Sequence, residues 1–432
     1  MKFYSTNNKN SRVSFREAAM KGLPNDNGLY MPQYIPDCKN LIKGIEKLSI
    51  QDISFIISKK FMIEDFSSSE IEEIIDSSIT FSAPAIKLGV NFILELFHGP
   101  TLAFKDFGAS FMARTFEKIV QNNNKSLNIL VATSGDTGSA VANGFYKVDG
   151  INVIILYPSN KVSKIQEQQI STLDENIFSL EVDGTFDDCQ KLVKQAFLNA
   201  KINSTISLSS ANSINISRLI PQTFYYFYAY SQLAQDSSVI FSVPSGNFGN
   251  LTAGVFSKFM GLPVRKFVAS TNANDTVPRY METGVYSPKP SVETISNAMD
   301  VGNPSNINRI LDIYNYDINL IKNDIFSCSF SDEKTKDKIL KILKNYEYVI
   351  DPHSAVGLLG LEKFHNLNNC KNPSICLSTA HPSKFSDIIE PLIKSNVDMP
   401  DRLKDLMSKE KRSIKINNDF DEFSDYLLSN FK

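Results

Sequence analysis

Apolar positions recur at helical spacing across residues 40–80, in LIKGIEKLSIQDISFIISKKF and again in IEEIIDSSI, so this stretch is predicted to be mostly helical. Beyond residue 85 the texture changes to short apolar runs alternating with helical stretches. The runs are NILVAT (128–133), INVIILYP (151–158), IFSLEV (177–182), SVIFSVPS (238–245), VRKFVAS (264–270), YEYVI (346–350) and SICLST (374–379). Most are β-branched and nearly continuous, the pattern of parallel strands buried on both faces. Helices are predicted between them, over 137–147, 187–197 and 355–364. Alternating βαβα order implies open parallel sheets covered by helices, in which ligands bind outside the carboxyl ends of the strands. The aromatic run FYYFYAY (224–230) has no positive charge near it, so it reads as a buried helix rather than a base-stacking surface. The tail from Asp401 onward carries mixed charge and is predicted to end in one amphipathic helix, DEFSDYLLSNF, with a structural role.

Two places combine a strand, a glycine loop and a helix start. In the first, NILVAT runs into Ser134, Gly135, Asp136, Thr137 and Gly138. In the second, SVIFSVPS runs into Gly246, Asn247, Phe248, Gly249 and Asn250. Glycines let several backbone N–H groups point into one small space, and a helix N-terminus adds partial positive charge there. Each loop alone is also compatible with an ordinary turn. Two in one chain favour a ligand with more than one anionic group. A third segment, HGPTLAFKDFGASF, sets Lys105 among apolar neighbours from Leu102 to Phe107. Such surroundings penalise the charged amine and lower its pKa, which Schiff-base chemistry requires. A lysine on its own is far more often solvated; only its company changes that balance.

Composition narrows the field further. The chain has 432 residues, enough for two or three domains, and a formal net charge of −2. That balance excludes the basic surplus of nucleic-acid binding. The cysteines, Cys38, Cys189, Cys328, Cys370 and Cys376, are odd in number and form no C-x-x-C pair, and the four histidines are dispersed. A disulfide scaffold and a metal centre are therefore not expected. No secretory signal and no stretch of ~18 apolar residues is found, so a cytoplasmic protein without a membrane span is expected. No G-x-G-x-x-G follows a strand and no G-x-x-x-x-G-K-[ST] occurs, which weighs against a dinucleotide-binding or nucleotide-binding module.

Taken together, the motifs resemble those of the threonine synthase family, within the fold type II (tryptophan synthase β-like) pyridoxal-phosphate enzymes. HGPTLAFKDFGASF is similar to the cofactor-lysine segment, SGNFGN to the cofactor-phosphate loop and SGDTG to the substrate-carboxylate loop. NSINISRLIPQ (212–222) is similar to the substrate-phosphate segment and STAHPSKF (378–385) to the strand end that meets the pyridine nitrogen. YSTN with GLPNDNGLYMPQYIP (22–36) resembles the N-terminal domain of the bacterial and fungal branch. The resemblance runs to about residue 395.

It implies an α/β fold with two open parallel-sheet domains and an N-terminal, mostly helical domain. The boundaries it implies are 1–85 for the N-terminal domain, 86–110 with 205–395 for the large cofactor domain, 111–204 for the small domain, and 396–432 for a C-terminal helical tail. It also implies that Lys105 is the catalytic residue and carries pyridoxal 5′-phosphate as a Schiff base. Gly246, Asn247, Phe248, Gly249 and Asn250 are then expected to hold the cofactor phosphate, and Thr379 the pyridine nitrogen. Thr133, Ser134, Gly135 and Thr137 are expected to receive the substrate carboxylate. Asn212, Ser213 and Arg218 are expected to receive the substrate phosphate, Arg218 through its planar fork. Asp136 stands where many relatives in the wider fold type carry Asn facing the ring 3-hydroxyl. A carboxylate there needs the hydroxyl, or itself, to supply a proton.

The activity implied is conversion of O-phospho-L-homoserine and water to L-threonine and phosphate. The nearest alternatives are an O-phosphohomoserine phospho-lyase or a hydroxy-amino-acid dehydratase of the same fold. The branch resembled implies a monomer or weak homodimer. Of the histidines, His98 either helps close the site or is structural, His353 in DPHSAVG is read as scaffold near a helix capped by Asp351 or Ser354, and His381 as shaping the strand end.

Overall fold

The computed structural model describes residues 1–121, 126–233 and 237–431. Fourteen strands occur among the described residues. They are β1 Lys2–Ser5, β2 Asn8–Ser14, β3 Tyr30–Pro32, β4 Ala85–Leu88, β5 Asn91–Glu95, β6 Leu127–Ala132, β7 Ile151–Pro158, β8 Ile177–Asp183, β9 Leu208–Ser210, β10 Val239–Pro244, β11 Val264–Thr271, β12 Ile325–Ser329, β13 Ser374–Ser378 and β14 Ile414–Asn417. They form a three-stranded sheet in the order β2-β1-β3, a six-stranded sheet in the order β12-β11-β10-β13-β5-β4, and a five-stranded sheet in the order β14-β8-β7-β6-β9.

The first sheet is antiparallel. The same N-terminal part of the chain holds the helices Ile50–Met62 and Ser68–Ser78, each opened by a serine capping box, Ser49 with Asp52 and Ser67 with Glu70. The five-stranded sheet is wholly parallel. The six-stranded sheet is parallel except for β4, which runs back beside β5 as a hairpin. The central strands β6 and β10 are buried along their whole length, as their continuous apolar runs require.

Six of the seven predicted strands form. The predicted helices appear as Asp136–Phe145, Phe186–Leu198 and Pro352–Leu367. The aromatic run lies within the helix Gln222–Leu233, and its Phe224, Tyr225, Tyr226 and Phe227 are fully buried. YEYVI is not a strand. The amphipathic helix Asp332–Tyr346 continues into it and stops where Glu347 turns left-handed at φ 54°.

Residues 396–432 are not a purely helical tail. They form the helix Asp401–Met407, then β14, then the helix Phe420–Asn430. β14 pairs in parallel with β8, with Ile414 opposite Leu180, and so covers the edge of the five-stranded sheet. The last helix buries Phe423 and Leu427 against the core that contains Leu192 and Val193. Leu403 packs with Leu102 and Ile165, so the tail also reaches the lysine segment. β9 likewise joins the five-stranded sheet, so residues 208–210 lie with the segment 111–204 rather than with the larger sheet. Among the described residues no helix is long and apolar enough to cross a membrane, and no cluster of ligands suited to a metal ion occurs.

Candidate active site

The functional motifs converge at strand ends. Thr133–Gly138 follow β6, Ser245–Asn250 follow β10, Thr379 follows β13, and the lysine segment follows β5 through a loop. That loop is stitched to the end of β13. The Phe104 N–H donates to Thr379 O (2.9 Å), and the His381 N–H donates to Leu102 O (3.0 Å). Leu102 takes a left-handed conformation (φ 60°) to make the turn. Asp106, buried one residue after the lysine, accepts from the Thr101 N–H (2.9 Å) and hydroxyl (2.6 Å), which pins the start of the helix Lys105–Gln121. Burial raises the Asp106 carboxyl to about 6, against those hydrogen bonds.

The Lys105 side chain is only 16% exposed, and its Nζ lies 3.7 Å from Asp136 Oδ2. Burial lowers its pKa. Lys384 and Arg218 push it the same way, while Asp136 opposes them. The direction expected from the apolar run is therefore present, with a second source in the like charges.

Lys384 was not singled out in the sequence. Its side chain has 0% exposure, and Nζ lies 2.8 Å from Asp136 Oδ1 and donates to Thr101 O at 2.8 Å. Gln166, also buried, donates from Nε2 to the same Asp136 oxygen (2.9 Å). Burial by itself raises a carboxyl, yet Lys384 and Lys105 together hold Asp136 well below the ordinary carboxylate range. Asp136 is an acceptor.

The loop after β6 is folded around Thr133. Its Oγ1 accepts from the Gly135 N–H (3.0 Å) and the Gly138 N–H (2.8 Å). Those amides serve the loop itself. The Ser134 and Thr137 side chains remain partly exposed. Gly135 adopts φ 138°, and a Cβ there would lie 2.4 Å from the Gln166 side chain.

In the loop after β10, Phe248 is held left-handed at φ 59° although its ring is buried, a conformation that larger residues rarely adopt. Asn247 donates from Nδ2 to Ser213 Oγ (2.7 Å) and accepts on Oδ1 from the Ser305 N–H (2.6 Å). Asn250 accepts on Oδ1 from Tyr225 and Tyr226 (each 2.8 Å), and its buried Nδ2 has no partner among the described residues. A Cβ on Gly246 would lie 2.7 Å from the Met299 Cα. Gly246→Ala is therefore expected to cost about 1–3 kcal/mol by overpacking against backbone, read by urea unfolding of the cofactor-free chain.

Arg218 is 2% exposed. Its Nη1 donates to Ala211 O (2.5 Å), and its buried Nε has no partner among the described residues. Burial lowers its pKa to about 10. Asn212 and Ser213, from the same segment, are partly exposed. His353 sits beneath the second loop as scaffold. Its Nδ1 lies 2.8 Å from Asp351, and its Nε2 accepts from the Ala298 N–H (3.2 Å). Asp351 caps the helix Pro352–Leu367. His98 pairs with Glu95 (2.7 Å), and His381 bonds to Ser383 (2.8 Å).

Family models match almost the whole chain. A pyridoxal-phosphate dependent enzyme model covers residues 79–379, a threonine synthase N-terminus model covers 2–79, and a threonine synthase C-terminal model covers 354–427. The threonine synthase of Buchnera aphidicola subsp. Schizaphis graminum is 42% identical over 438 residues, spanning 99% of this chain and 100% of that protein. The crystal structure of threonine synthase from Escherichia coli superposes with a TM-score of 0.92 at 39% identity, covering 99% of this chain and 100% of that one. The structure of pyridoxal-phosphate-bound threonine synthase from Brucella melitensis superposes with a TM-score of 0.94 at 30% identity, covering 100% of both chains. With these matches spanning the N-terminal sheet, both parallel sheets and the C-terminal tail, the chain belongs to the threonine synthase family of pyridoxal-phosphate-dependent enzymes.

Proposed function

We propose that this chain converts O-phospho-L-homoserine and water to L-threonine and phosphate, with pyridoxal 5′-phosphate held on Lys105. The observation that carries the reading is a largely buried lysine set 3.7 Å from buried Asp136, with a buried Arg218 whose Nε has no partner among the described residues, in a chain matched end to end by its family. The residues fit the cofactor. Asn250 Nδ2 is a buried donor with no partner among the described residues, and Thr379 is buried at the end of β13 beside the lysine segment. Gly246–Asn250 would hold its phosphate, Thr379 its ring nitrogen, and Asp136 would face its ring oxygen.

Bound there, the cofactor supplies an electron sink for the carbanions formed on the substrate. Lys105 Nζ takes the proton from the substrate Cα and then one from Cβ, and returns a proton to Cα at the end. An amine that does all three must titrate near the working pH, which the burial of Lys105 favours. Arg218, with Asn212 and Ser213, holds the phosphate that leaves Cγ. The Ser134 and Thr137 hydroxyls, in a loop braced by Thr133 and Gly135, orient the substrate carboxylate. The proton from Cβ passes to Cγ once phosphate has left, and water then adds at Cβ, its hydroxyl going to the carbon and its remaining proton to the departing phosphate. A cytoplasmic location accords with the five free cysteines, four of them buried.

Borohydride reduction followed by peptide mapping tests the lysine, with the label expected on the peptide containing Lys105. Product analysis separates the related chemistries. Phosphate and threonine in equal amounts are expected, whereas 2-oxobutanoate in place of threonine identifies a phospho-lyase or dehydratase. Arg218→Ala is expected to lower kcat/KM about 100-fold, the loss of a charge-assisted contact to a dianion. If the departing phosphate also shuttles protons, single-turnover chemistry slows in that variant as well. An unchanged single-turnover rate counts against that shuttle.

A further inference from the structure

Arg309 lies outside the Lys105 centre and in none of the recognised motifs. It sits on the helix Ile307–Ile313, and its side chain is fully buried. Among the described residues it has no carboxylate partner. Its guanidinium donates instead to Tyr30 O (3.2 Å from Nε and 3.0 Å from Nη2), to Ile214 O (2.6 Å) and to Asn306 Oδ1 (2.7 Å). Burial lowers its pKa to about 9, with no neighbouring charge to offset it. Carbonyl dipoles satisfy the N–H donors but supply no net negative charge. A buried cation of this kind is costly unless an anion comes near.

The 246–250 loop and the 212–218 segment lie directly across those contacts. Ile214 belongs to the segment 212–218. Asn306, held through its Oδ1, donates from Nδ2 to Asn247 O (3.1 Å). Asn247 in turn donates to Ser213 Oγ (2.7 Å), and the chain from Ser213 to Ile214 returns to Arg309. A closed ring thus runs from the cation through one residue of the 246–250 loop and two of the 212–218 segment. In a low-dielectric interior each member of such a ring orders the next.

We propose that Arg309 is a positioning residue whose single buried charge serves both phosphate groups, fixing the cofactor-phosphate loop and the substrate-phosphate segment together. The inference rests on the assignment of those two loops in the preceding subsection. Arg309 touches neither ligand. It acts through the carbonyls of Ile214 and Asn247 and through its field.

The test uses the holoenzyme, with inorganic phosphate as the substrate-side probe and cofactor release as the second readout. Arg309→Gln keeps an amide for the carbonyls and removes the charge. It is expected to raise the Kd for inorganic phosphate and the Kd for pyridoxal phosphate by about 10-fold each, the worth of one charge-assisted interaction. kcat at saturation is expected to hold. Arg309→Lys keeps the charge and is expected to recover most of both affinities. Either Kd unchanged in Arg309→Gln, or Lys and Gln variants that bind alike, overturns the proposal. Arg218→Ala tells the two failures apart. If inorganic phosphate still binds that variant, the assignment of the 212–218 segment has failed and the proposal with it. If binding is lost there while Arg309→Gln binds both groups normally, only the role of Arg309 has failed. Should Arg309→Gln not fold, Asn306→Ala carries the test. It cuts the link to Asn247 and keeps the link to Ile214, so the cofactor Kd is expected to rise more than the phosphate Kd, and no change in either overturns the proposal.

Discussion

Lys105→Ala is expected to form no measurable threonine from O-phospho-L-homoserine, a loss of at least about 1,000-fold, because one amine acts both as covalent anchor and as the base for successive protons. The same variant is expected to lack the absorption band at roughly 410–430 nm that an imine-bound pyridoxal cofactor gives. Its fold should persist. The helix Lys105–Gln121 starts on Asp106 and Thr101, and neither depends on the lysine amine. Far-ultraviolet circular dichroism and urea unfolding close to those of the parent chain therefore accompany the lost activity. Threonine production near the parent rate, with the protein folded, would remove Lys105 from the chemistry.

The largest effect on stability is expected from Lys384→Met. The substitution keeps most of the side-chain shape and removes one partner of a buried ion pair that is 2.8 Å long. Breaking such a pair from one side costs about 3–5 kcal/mol, because the remaining charge stays buried. Lys105 compensates only in part, from 3.7 Å. The pH dependence carries the signature. In the parent chain the folded pKa of Asp136 is depressed, so its stabilising contribution is present above the unfolded value near ~4 and is lost only as the pH falls through the lower folded value. In the variant, Lys105 and Gln166 offset burial only in part, and the folded pKa of Asp136 is expected to rise above the unfolded one. The deficit is then full at pH 8 and shrinks as the pH falls toward 5. Urea unfolding at both pH values reads this directly, and equal deficits would show that Asp136 is not the group left unpaired. Loss of a like charge also raises the pKa of Lys105, so the basic half of the activity profile should start at higher pH.

Patterns local in the chain were legible. Strand, glycine loop and helix start are contiguous at Ser134–Gly138 and Gly246–Asn250, and their sequence states what the backbone does there. Lys105 was legible because six apolar or aromatic neighbours crowd it within the same segment. Lys384 was not, although STAHPSKF had been picked out for Thr379. A lysine beside a helix start reads as a surface cation, and its partner Asp136 lies far back along the chain. Gln166 and Arg309 escaped for the same reason, since their roles come from what the folded chain sets against them. Among strands, the central ones declared themselves by continuous apolar runs. β4, β5, β9, β12 and β14 did not. They are short, and β4, β9, β12 and β14 lie at sheet edges, where only one neighbour constrains the side chains. YEYVI misled because aromatic and β-branched residues favour strands, while the helix before it ends only at Tyr346.

The ion pair between Asp136 and Lys384 joins the first third of the chain to its last stretch, and this has a consequence for synthesis on the ribosome. Domains are completed in the order in which they emerge, N-terminal parts first. The five-stranded sheet cannot gain β14, nor Asp136 its nearest cation, until translation is almost finished. A nascent chain halted earlier carries Lys105 and both glycine loops but leaves that carboxylate without its nearest counter-ion. Cofactor loading is therefore expected of the released polypeptide, and prematurely terminated products are expected to remain colourless.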